Sequence, residues 1–243
     1  MTTLYEVHGS VAVITLNNPP VNGLGHATRA SIADNLQKAN SDAAIKSIVI
    51  TGAGTAFSGG ADIKEFGSPK ALAEPNLLSV ILAIENSPKP VVAAVHSVCM
   101  GGGLGLAAAC DIRICADDAR FRMPAGRLGL GYEQAGVRRF VSLIGVQNTY
   151  DIFFSARVFD AQEALRMGFV SRVVPAAQLD GAVLEMTDAI ADNAPLTLQA
   201  AKLTVNGFLQ HPAQSNSPDA QSMIDAANAS ADYAEGVRAF VEK

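Results

Sequence analysis

The stretch of sequence that says most about the fold runs Ala56-Phe57-Ser58-Gly59-Gly60-Ala61-Asp62-Ile63-Lys64-Glu65-Phe66. It follows a short apolar strand predicted at residues 47–51, and it opens a short helix. Backbone N–H groups at the start of a helix have no acceptor inside the helix, so they can stabilise an anion. The stretch therefore predicts a strand, then a loop of exposed N–H donors, then a helix.

A second glycine-rich stretch, Met100-Gly101-Gly102-Gly103, is placed in the same way. It follows a buried strand predicted at residues 91–95 and opens an Ala/Leu-rich helix that runs to Cys110, and its glycines leave the N–H groups open to approach. Two N–H donors that converge on one point form an oxyanion hole, which stabilises the enolate of a thioester. One such donor typically lowers the barrier by about 3 kcal/mol. Together the two stretches predict an oxyanion hole.

Two other interpretations of the glycines stay open at this point. Either glycine run, taken alone, is more often a tight turn. The residues Gly103-Leu104-Gly105-Leu106-Ala107-Ala108 also fit the G-x-G-x-x-A pattern of a dinucleotide site. Against a dinucleotide site, no acidic residue stands about 20 positions further on at a strand end, and the pattern lies in the middle of the chain. An oxyanion hole is therefore favoured over a dinucleotide site.

The remaining hydrophobic periodicity predicts an α/β protein. Strands that alternate with helices in a β-α-β rhythm give way, after Arg120, to mainly helical sequence. We therefore expect an α/β core over residues 1–190 and a helical C-terminal region over residues 191–243. The predicted helices cover residues 27–39, 76–85, 134–143, 146–154 and 161–167, and further strands cover residues 7–16, as a strand or hairpin, 111–115 and 170–174.

Composition and charge argue against several classes of protein. Hydrophobic residues make up 49% of the 243 residues, and the formal net charge is −5, which argues against a general affinity for nucleic acid or for an anionic membrane. The apolar runs fall far short of the roughly 20 residues of a membrane helix. The N-terminus has no basic start and no hydrophobic signal core, so we expect a cytoplasmic protein. The three cysteines form no CxxC pair, which argues against a zinc site.

Four motifs resemble those of one family. They are Asn17-Asn18-Pro19-Pro20-Val21-Asn22-Gly23-Leu24, the stretch over residues 56–66, residues 90–111 with a K-P-V-x-A-A-V…G-G-G…C-D pattern, and the final helix over residues 232–243. On these motifs the chain resembles the enoyl-CoA hydratase/isomerase, or crotonase, superfamily along almost its whole length. Its N-terminal half is most similar to the hydratase module of multifunctional β-oxidation enzymes.

The resemblance implies a crotonase-like fold, which is a superhelix of stacked β-β-α turns with a C-terminal helical trimerisation region, assembled as a homotrimer or hexamer. It also implies an acyl-CoA thioester as substrate, with the thioester oxygen held by the N–H groups of Ala61 and Gly102. No metal and no redox cofactor are implied, since coenzyme A enters as part of the substrate. Substrate contacts are expected at Val21, Gly60, Ala61, Asp62, Ile63, Lys64, Gly101 and Pro124.

Two departures from the family pattern bear on the reaction. Family hydratases carry one glutamate in a G-G-G-x-E motif where this chain has Gly105, and a second in an F-x-x-P-E-x-x-L-G motif where it has Ala125. Addition of water needs a base to activate the water and an acid to protonate Cα, and neither replacement holds a proton. The sequence therefore favours isomerase or other enolate chemistry over hydration.

Three side chains remain as candidates for proton transfer. The resemblance aligns Glu133 with an acidic residue of family members that isomerise dienoyl-CoA, and Tyr132 with a tyrosine of family members that decarboxylate methylmalonyl-CoA. A simpler interpretation of this pair is a helix start with Glu133 in its first turn, where a negative charge favours the helix dipole. His96, at a strand end, is more simply a structural histidine than a base. A non-catalytic subunit that binds CoA thioesters stays open as the alternative function.

We predict that the native protein hydrates crotonyl-CoA far more slowly than a family hydratase does, because each missing acid or base group is worth about 10²–10⁴-fold. The assay follows the loss of the enoyl thioester absorbance, beside a Gly105→Glu/Ala125→Glu double variant. A gain of hydration in that variant supports an intact CoA site that lacks only its acid/base pair. Brisk hydration by the native protein would contradict the requirement for two glutamates.

Overall fold

Two β-sheets carry the fold of this chain. In the computed structural model, which describes residues 2–65, 67–132, 134–210 and 218–242, the larger sheet has six strands in the order β1-β2-β3-β5-β7-β10, and the smaller has four in the order β4-β6-β8-β9. The strands are β1 (Thr3–His8), β2 (Val11–Leu16), β3 (Ser47–Gly52), β4 (Ala56–Ser58), β5 (Val91–Val95), β6 (Val98–Met100), β7 (Ile112–Ala116), β8 (Arg120–Arg122), β9 (Val158–Asp160) and β10 (Arg172–Val174).

The larger sheet begins with an antiparallel hairpin and continues as a parallel sheet. Strands β1 and β2 pair across a turn at Gly9, whose φ of 59° suits glycine. The pairs β2–β3, β3–β5, β5–β7 and β7–β10 are parallel. Strands β3 and β5 are continuous apolar runs, which suit burial on both faces of a parallel sheet. The predicted hairpin and the predicted strands of this sheet are confirmed.

Sequence periodicity does not reveal the smaller sheet. Its strands are three residues long, which is too short for a period-two pattern to show. Strands β4, β6 and β8 pair in parallel, and β9 pairs antiparallel with β8. Each of β4, β6 and β8 follows a strand of the larger sheet and leads into a helical segment, which after β4 is the short 3-10 helix Ile63–Glu65, so the chain repeats a β-β-α unit. This repetition confirms the predicted fold class, whereas trimerisation stays a prediction.

Helices follow these units and then make up most of the C-terminal third of the described chain. The two helices predicted over residues 134–143 and 146–154 are confirmed, since Gly145 between them has a non-helical φ of 74° and ψ of 167°; both are counted here within α6. The helices are α1 (His26–Ser41), α2 (Pro69–Leu72), α3 (Leu77–Glu85), α4 (Gly102–Ala109), α5 (Ala125–Leu128), α6 (Gln134–Ser155), α7 (Ala161–Met167), α8 (Leu179–Ala191), α9 (Pro195–Gln210), α10 (Pro218–Asn228) and α11 (Ala231–Val241).

Two apolar cores lie on opposite faces of the larger sheet. On one face, α8 packs onto side chains of β2, β3, β5 and β7. On the other face, a larger core joins the sheet to α1, α3, α4 and the smaller sheet. Within this core Phe121 of β8 stacks on Phe159 at 5.3 Å and meets Phe169 edge-on at 5.5 Å, and Phe140 of α6 stacks on Phe169 at 6.3 Å. These rings fix the smaller sheet against α6.

The C-terminal helices bear on two further expectations. The boundary predicted between residues 190 and 191 falls at the end of α8, and the division into two regions stays a prediction. Within the described ranges, none of the helices combines the length and the apolar character that crossing a bilayer requires.

We predict that Phe121→Ala lowers the free energy of unfolding by about 3–5 kcal/mol, because it leaves a cavity among fully buried rings. Urea unfolding followed by circular dichroism measures the change. The matched control is Phe154→Ala on α6, where the ring is 79% exposed and its removal should change stability by about 0.5 kcal/mol or less. Equal losses in the two variants would contradict this account of the core.

Candidate active site

Two backbone N–H groups from different β-β-α units lie side by side. A Cβ atom placed on Gly102 would be 3.2 Å from the Ala61 nitrogen, and one placed on Gly60 would be 2.9 Å from the Gly102 nitrogen. Gly102 is the first residue of α4, so its N–H has no acceptor within the helix. Among the described residues, neither the Ala61 N–H nor the Gly102 N–H donates a hydrogen bond. The two donors are therefore free to share one external acceptor.

Glycine is required here because two backbones approach each other closely. Gly60 has a φ of 98°, and a Cβ atom there would lie 2.7 Å from the Met100 carbonyl oxygen. A Cβ atom on Gly103 would lie 2.6 Å from the Ser58 carbonyl oxygen. Such distances are shorter than a carbon and an oxygen tolerate, so a side chain would push the loops apart. The close approach, rather than a tight turn alone, accounts for glycine at Gly60 and Gly103.

The loop before Ala61 is held by the N-terminal motif at residues 17–24. The Gly59 N–H donates to the Val21 carbonyl at 2.6 Å, and the Leu24 N–H donates to the Gly60 carbonyl at 2.8 Å. These two bonds fix the backbone immediately before the Ala61 N–H.

Two buried polar side chains, missed by sequence reasoning, complete this support. The Asn22 amide donates to the carbonyls of Ala53 and Ala56 at 2.9 and 2.6 Å, from a backbone with a φ of 54°. The Ser58 hydroxyl donates to the Asn22 carbonyl at 2.8 Å and accepts from the Gly60 N–H at 3.1 Å. The available signal was an Asn-Gly pair after two prolines, because asparagine tolerates a positive φ and its amide satisfies nearby turns.

A cavity of about 360 Å³ opens beside the two N–H groups. Six of the sequence-predicted site residues line it, namely Ala61, Ile63, Gly101, Gly102, Pro124 and Tyr132. The other lining residues are Gly59, Ala71, Leu72, Asn76, Leu77, Leu78, Ile81, Ala125, Leu128, Leu130, Gly131 and Gly136. The wall is therefore formed mainly by aliphatic side chains and glycine backbone.

Four predicted substrate contacts are not part of the described cavity wall. Val21 packs on Gly59 and is 43% exposed outside the cavity. Gly60 directly precedes Ala61 and has a φ of 98°. The Asp62 carboxylate accepts from the Lys64 N–H at 3.0 Å, and the Lys64 side chain is exposed. The cavity itself gives no support for contacts at these four positions, and contacts there with a longer ligand stay a prediction.

Of the two positions at which the resemblance implies a glutamate in family hydratases, Ala125 lies in the cavity wall and Gly105 lies next to a wall residue. Ala125 lines the cavity directly. A Cβ atom on Gly105 would lie 3.4 Å from Cδ1 of Ile81, which also lines the cavity, so a glutamate at position 105 needs Ile81 to move slightly. Among the described residues of the wall there is no Asp, Glu, His, Lys or Arg. The described wall thus offers no carboxylate for proton transfer.

Tyr132 is the titratable side chain of the described wall. Its ring meets Phe153 edge-on at 5.3 Å. Burial raises the pKa of Tyr132 above its usual value of 10, so the phenol is protonated at neutral pH and acts as a donor. The Asn76 side chain is occupied, since it caps α3 by accepting from the Ser79 N–H at 2.9 Å. Glu133 lies outside the described residues.

His96 and the cysteines lie away from the cavity. Nε2 of His96 is 2.8 Å from the Gly52 carbonyl oxygen, to which it donates, and this contact agrees with a structural role. Cys99, Cys110 and Cys115 are buried, and burial raises the pKa of the thiols, to about 12 for Cys110 and Cys115. They remain protonated and unreactive at neutral pH.

Comparison with known proteins agrees with the resemblance carried by the motifs. A family model described as enoyl-CoA hydratase/isomerase matches residues 6–243. A protein of Bacillus subtilis (strain 168) named "Probable enoyl-CoA hydratase" is 34% identical over 242 residues, which cover 96% of this chain and 93% of that protein. The peroxisomal bifunctional enzyme of Danio rerio is 43% identical over 170 residues, which cover 70% of this chain and 23% of that enzyme. The crystal structure of enoyl-CoA hydratase from Bacillus anthracis superposes with a TM-score of 0.88 at 28% identity and covers 100% of this chain and 96% of its own.

We predict that Gly60→Ala lowers the free energy of unfolding by about 1–3 kcal/mol more than a matched glycine replacement, because its Cβ atom meets the Met100 carbonyl. The matched control is Gly54→Ala, since Gly54 also has a positive φ, of 72°, but a Cβ atom there meets nothing within 4 Å. Both variants carry backbone strain of about 1–2 kcal/mol. Urea unfolding separates the two effects, and equal losses would show that the two loops do not touch as described.

Proposed function

Because this chain belongs to the enoyl-CoA hydratase/isomerase family, we propose that it binds an acyl-CoA thioester and stabilises the enolate of that thioester. The N–H groups of Ala61 and Gly102 are the proposed donors. The observation that carries the proposal is this pair of adjacent N–H groups, which have no acceptor among the described residues and face an apolar cavity.

The chemistry of a thioester fits these two donors. When a proton or another group leaves Cα, the electron pair moves onto the carbonyl oxygen, which becomes an anion. Two N–H groups already fixed in place stabilise that anion without reorganising, and each is worth about 3 kcal/mol of barrier. The aliphatic wall keeps water away from the oxygen, which strengthens the interaction of the dipoles with the charge. The acyl chain lies against Leu77, Leu78 and Ile81 in this proposal.

The proposed reaction is isomerisation or another enolate reaction rather than hydration. Hydration needs an acid and a base on the substrate at once, and Gly105 and Ala125 supply neither. Glu133 is the proposed acid/base: it takes a proton from one carbon of the acyl chain and returns it to another, so the double bond moves and no water is added. Tyr132 stays protonated and donates a hydrogen bond to the substrate or the enolate.

A non-catalytic CoA-thioester-binding subunit is the second candidate. The observation that favours it is the neutral cavity wall, in which Tyr132 is the titratable side chain among the described residues. A protein of this kind binds the thioester through the same two N–H groups and the same apolar wall but moves no proton.

Three further features belong to the proposal. The family supports assembly as a homotrimer or hexamer through the C-terminal helices. It also supports a cytoplasmic protein that acts on acyl-CoA rather than on nucleic acid or a membrane, with coenzyme A as part of the substrate and no metal or redox cofactor. Within the ranges that the structure describes, there is no group of three or more His, Cys, Asp and Glu side chains that could hold a metal ion.

We predict that the protein exchanges the α-hydrogens of butyryl-CoA for deuterium in D₂O, because stabilisation of the enolate lowers the barrier to its formation. Mass spectrometry of the recovered thioester counts the deuterium, and it reports enolate formation whatever the natural reaction is. Glu133→Gln should slow the exchange by about 10²–10⁴-fold. The matched control is Glu185→Gln, which changes an exposed carboxylate of α8 outside the cavity and should leave the rate unchanged.

The outcomes of this experiment separate the two candidates. Binding of butyryl-CoA without exchange in the native protein favours the non-catalytic subunit. Exchange that survives in Glu133→Gln contradicts the role of Glu133 while leaving the N–H pair in place. Failure to bind any acyl-CoA contradicts the proposed function as a whole.

A further inference from the structure

A buried arginine of α1 holds together segments that surround the cavity. The Arg29 side chain is 4% exposed. Its Nε donates to the Pro75 carbonyl at 3.0 Å, Nη1 donates to the Leu24 carbonyl at 3.0 Å, and Nη2 donates to the Lys70 carbonyl at 2.7 Å. Nη1 also lies 3.5 Å from Oε2 of Glu65. Nη2 also lies 3.5 Å from the Ala71 carbonyl oxygen, so one guanidinium group reaches four carbonyls and one carboxylate from separate parts of the chain.

The segments that Arg29 joins are those that shape the cavity. Leu24 holds the Gly60 carbonyl through its own N–H, immediately before the proposed Ala61 donor. Residues 70–76, the wall segment, contribute Ala71, Leu72 and Asn76 to the cavity wall. Arg29 therefore connects the loop that presents the N–H pair with the wall segment opposite it.

The wall segment has little else to hold it in place. Helix α2 is four residues long and has no buried residue, and Leu72 is 83% exposed. A second tether comes from the same helix as Arg29, since Nε2 of His26 donates to the Glu74 carbonyl at 2.8 Å. Because a segment with few apolar contacts opens easily, its position depends on these polar contacts.

The geometry of these contacts suits arginine and not lysine. Guanidinium offers five N–H donors in a rigid planar fork, whereas the ammonium of lysine is a point charge with three rotatable donors on a flexible stem. Carbonyls reached in three directions, through Nε, Nη1 and Nη2, match the fork. A lysine at position 29 keeps the charge beside Glu65 but cannot reach all of these carbonyls.

We propose that Arg29 is a positioning residue that holds the wall segment against the cavity and so sets how strongly the site discriminates between acyl chains. The inference rests on the proposed function, because it concerns the acyl end of a bound thioester. Arg29 itself touches neither the thioester nor the N–H pair. Its loss should therefore weaken the contribution of the acyl chain to binding and leave the contribution of coenzyme A unchanged.

Calorimetric titration with coenzyme A and with saturated acyl-CoA of four, six and eight carbons tests this proposal. In the native protein each buried methylene should raise the affinity by up to about fourfold. In Arg29→Lys each added methylene should leave the affinity almost unchanged, so the ratio of affinities per methylene falls close to one. The affinity for coenzyme A should stay the same. The matched control is Arg113→Lys. Arg113 lies in β7, away from the cavity, but it is also buried, and its Nε donates to the Phe169 carbonyl at 2.6 Å. This control should keep the native gain per methylene.

Each result has a defined meaning. A folded Arg29→Lys variant with the native gain per methylene overturns the positioning role while the proposed function stands. If Arg29→Lys does not fold, Glu65→Gln carries the same expectation in a weaker form, because it keeps Arg29 and removes its charged partner; a native gain in that variant overturns the proposal. An equal loss of the gain in affinity per methylene in Arg113→Lys also overturns the proposal, because it shows that any buried arginine has this effect through a general loss of stability. Failure of the native protein to bind any acyl-CoA overturns both the proposed function and this inference.

Discussion

The close approach of two backbone loops is the constraint on which the rest of the site depends. Gly60 and Gly103 allow the loop at residues 58–61 and the loop at residues 100–103 to touch without side chains between them. That contact brings N–H groups of successive β-β-α units to one point, and it requires β4 and β6 to pair in parallel directly before the two loops. The smaller sheet therefore sets the position of the two loops relative to each other. The phenylalanine cluster in turn packs the smaller sheet against α6.

The sequence predicts the elements that have a regular hydrophobic pattern, and it misses the contacts between residues that are far apart in the chain. The apolar strands β3 and β5 are recognised by their hydrophobic runs, and the helix α1 is recognised by its helical period. They lie where they are predicted. The three-residue strands of the smaller sheet are too short to show a period-two pattern. Asn22, Ser58 and Arg29 are missed for another reason: each donates hydrogen bonds to backbone 31 to 46 positions away. A local pattern such as the Asn22-Gly23 pair indicates a turn but does not identify the distant partner.

The candidate site, like the fold, is predicted from the sequence only in part. Its backbone part is accessible from the sequence, because runs of glycine after strands are visible, and the structure brings Ala61 and Gly102 together. The part of the wall that α2 and α3 contribute is not accessible from the sequence, because tertiary packing places these helices beside the cavity. The absence of glutamate at Gly105 and Ala125 is a sequence fact whose meaning depends on the structure: both positions border the cavity, directly or through Ile81.

A cavity of this kind separates two tasks that many enzymes combine. Stabilising an enolate needs donors, and the N–H pair and the protonated Tyr132 are all donors. Forming an enolate by removing a proton needs an acceptor, and the described wall contains no basic side chain. An enolate also forms when another bond to Cα breaks and leaves its electron pair behind, which requires no base on the protein. The donors at the described wall match the enolate that the second route forms, whereas the first route requires an acceptor beyond that wall, for which Glu133 follows directly after Tyr132 in the chain.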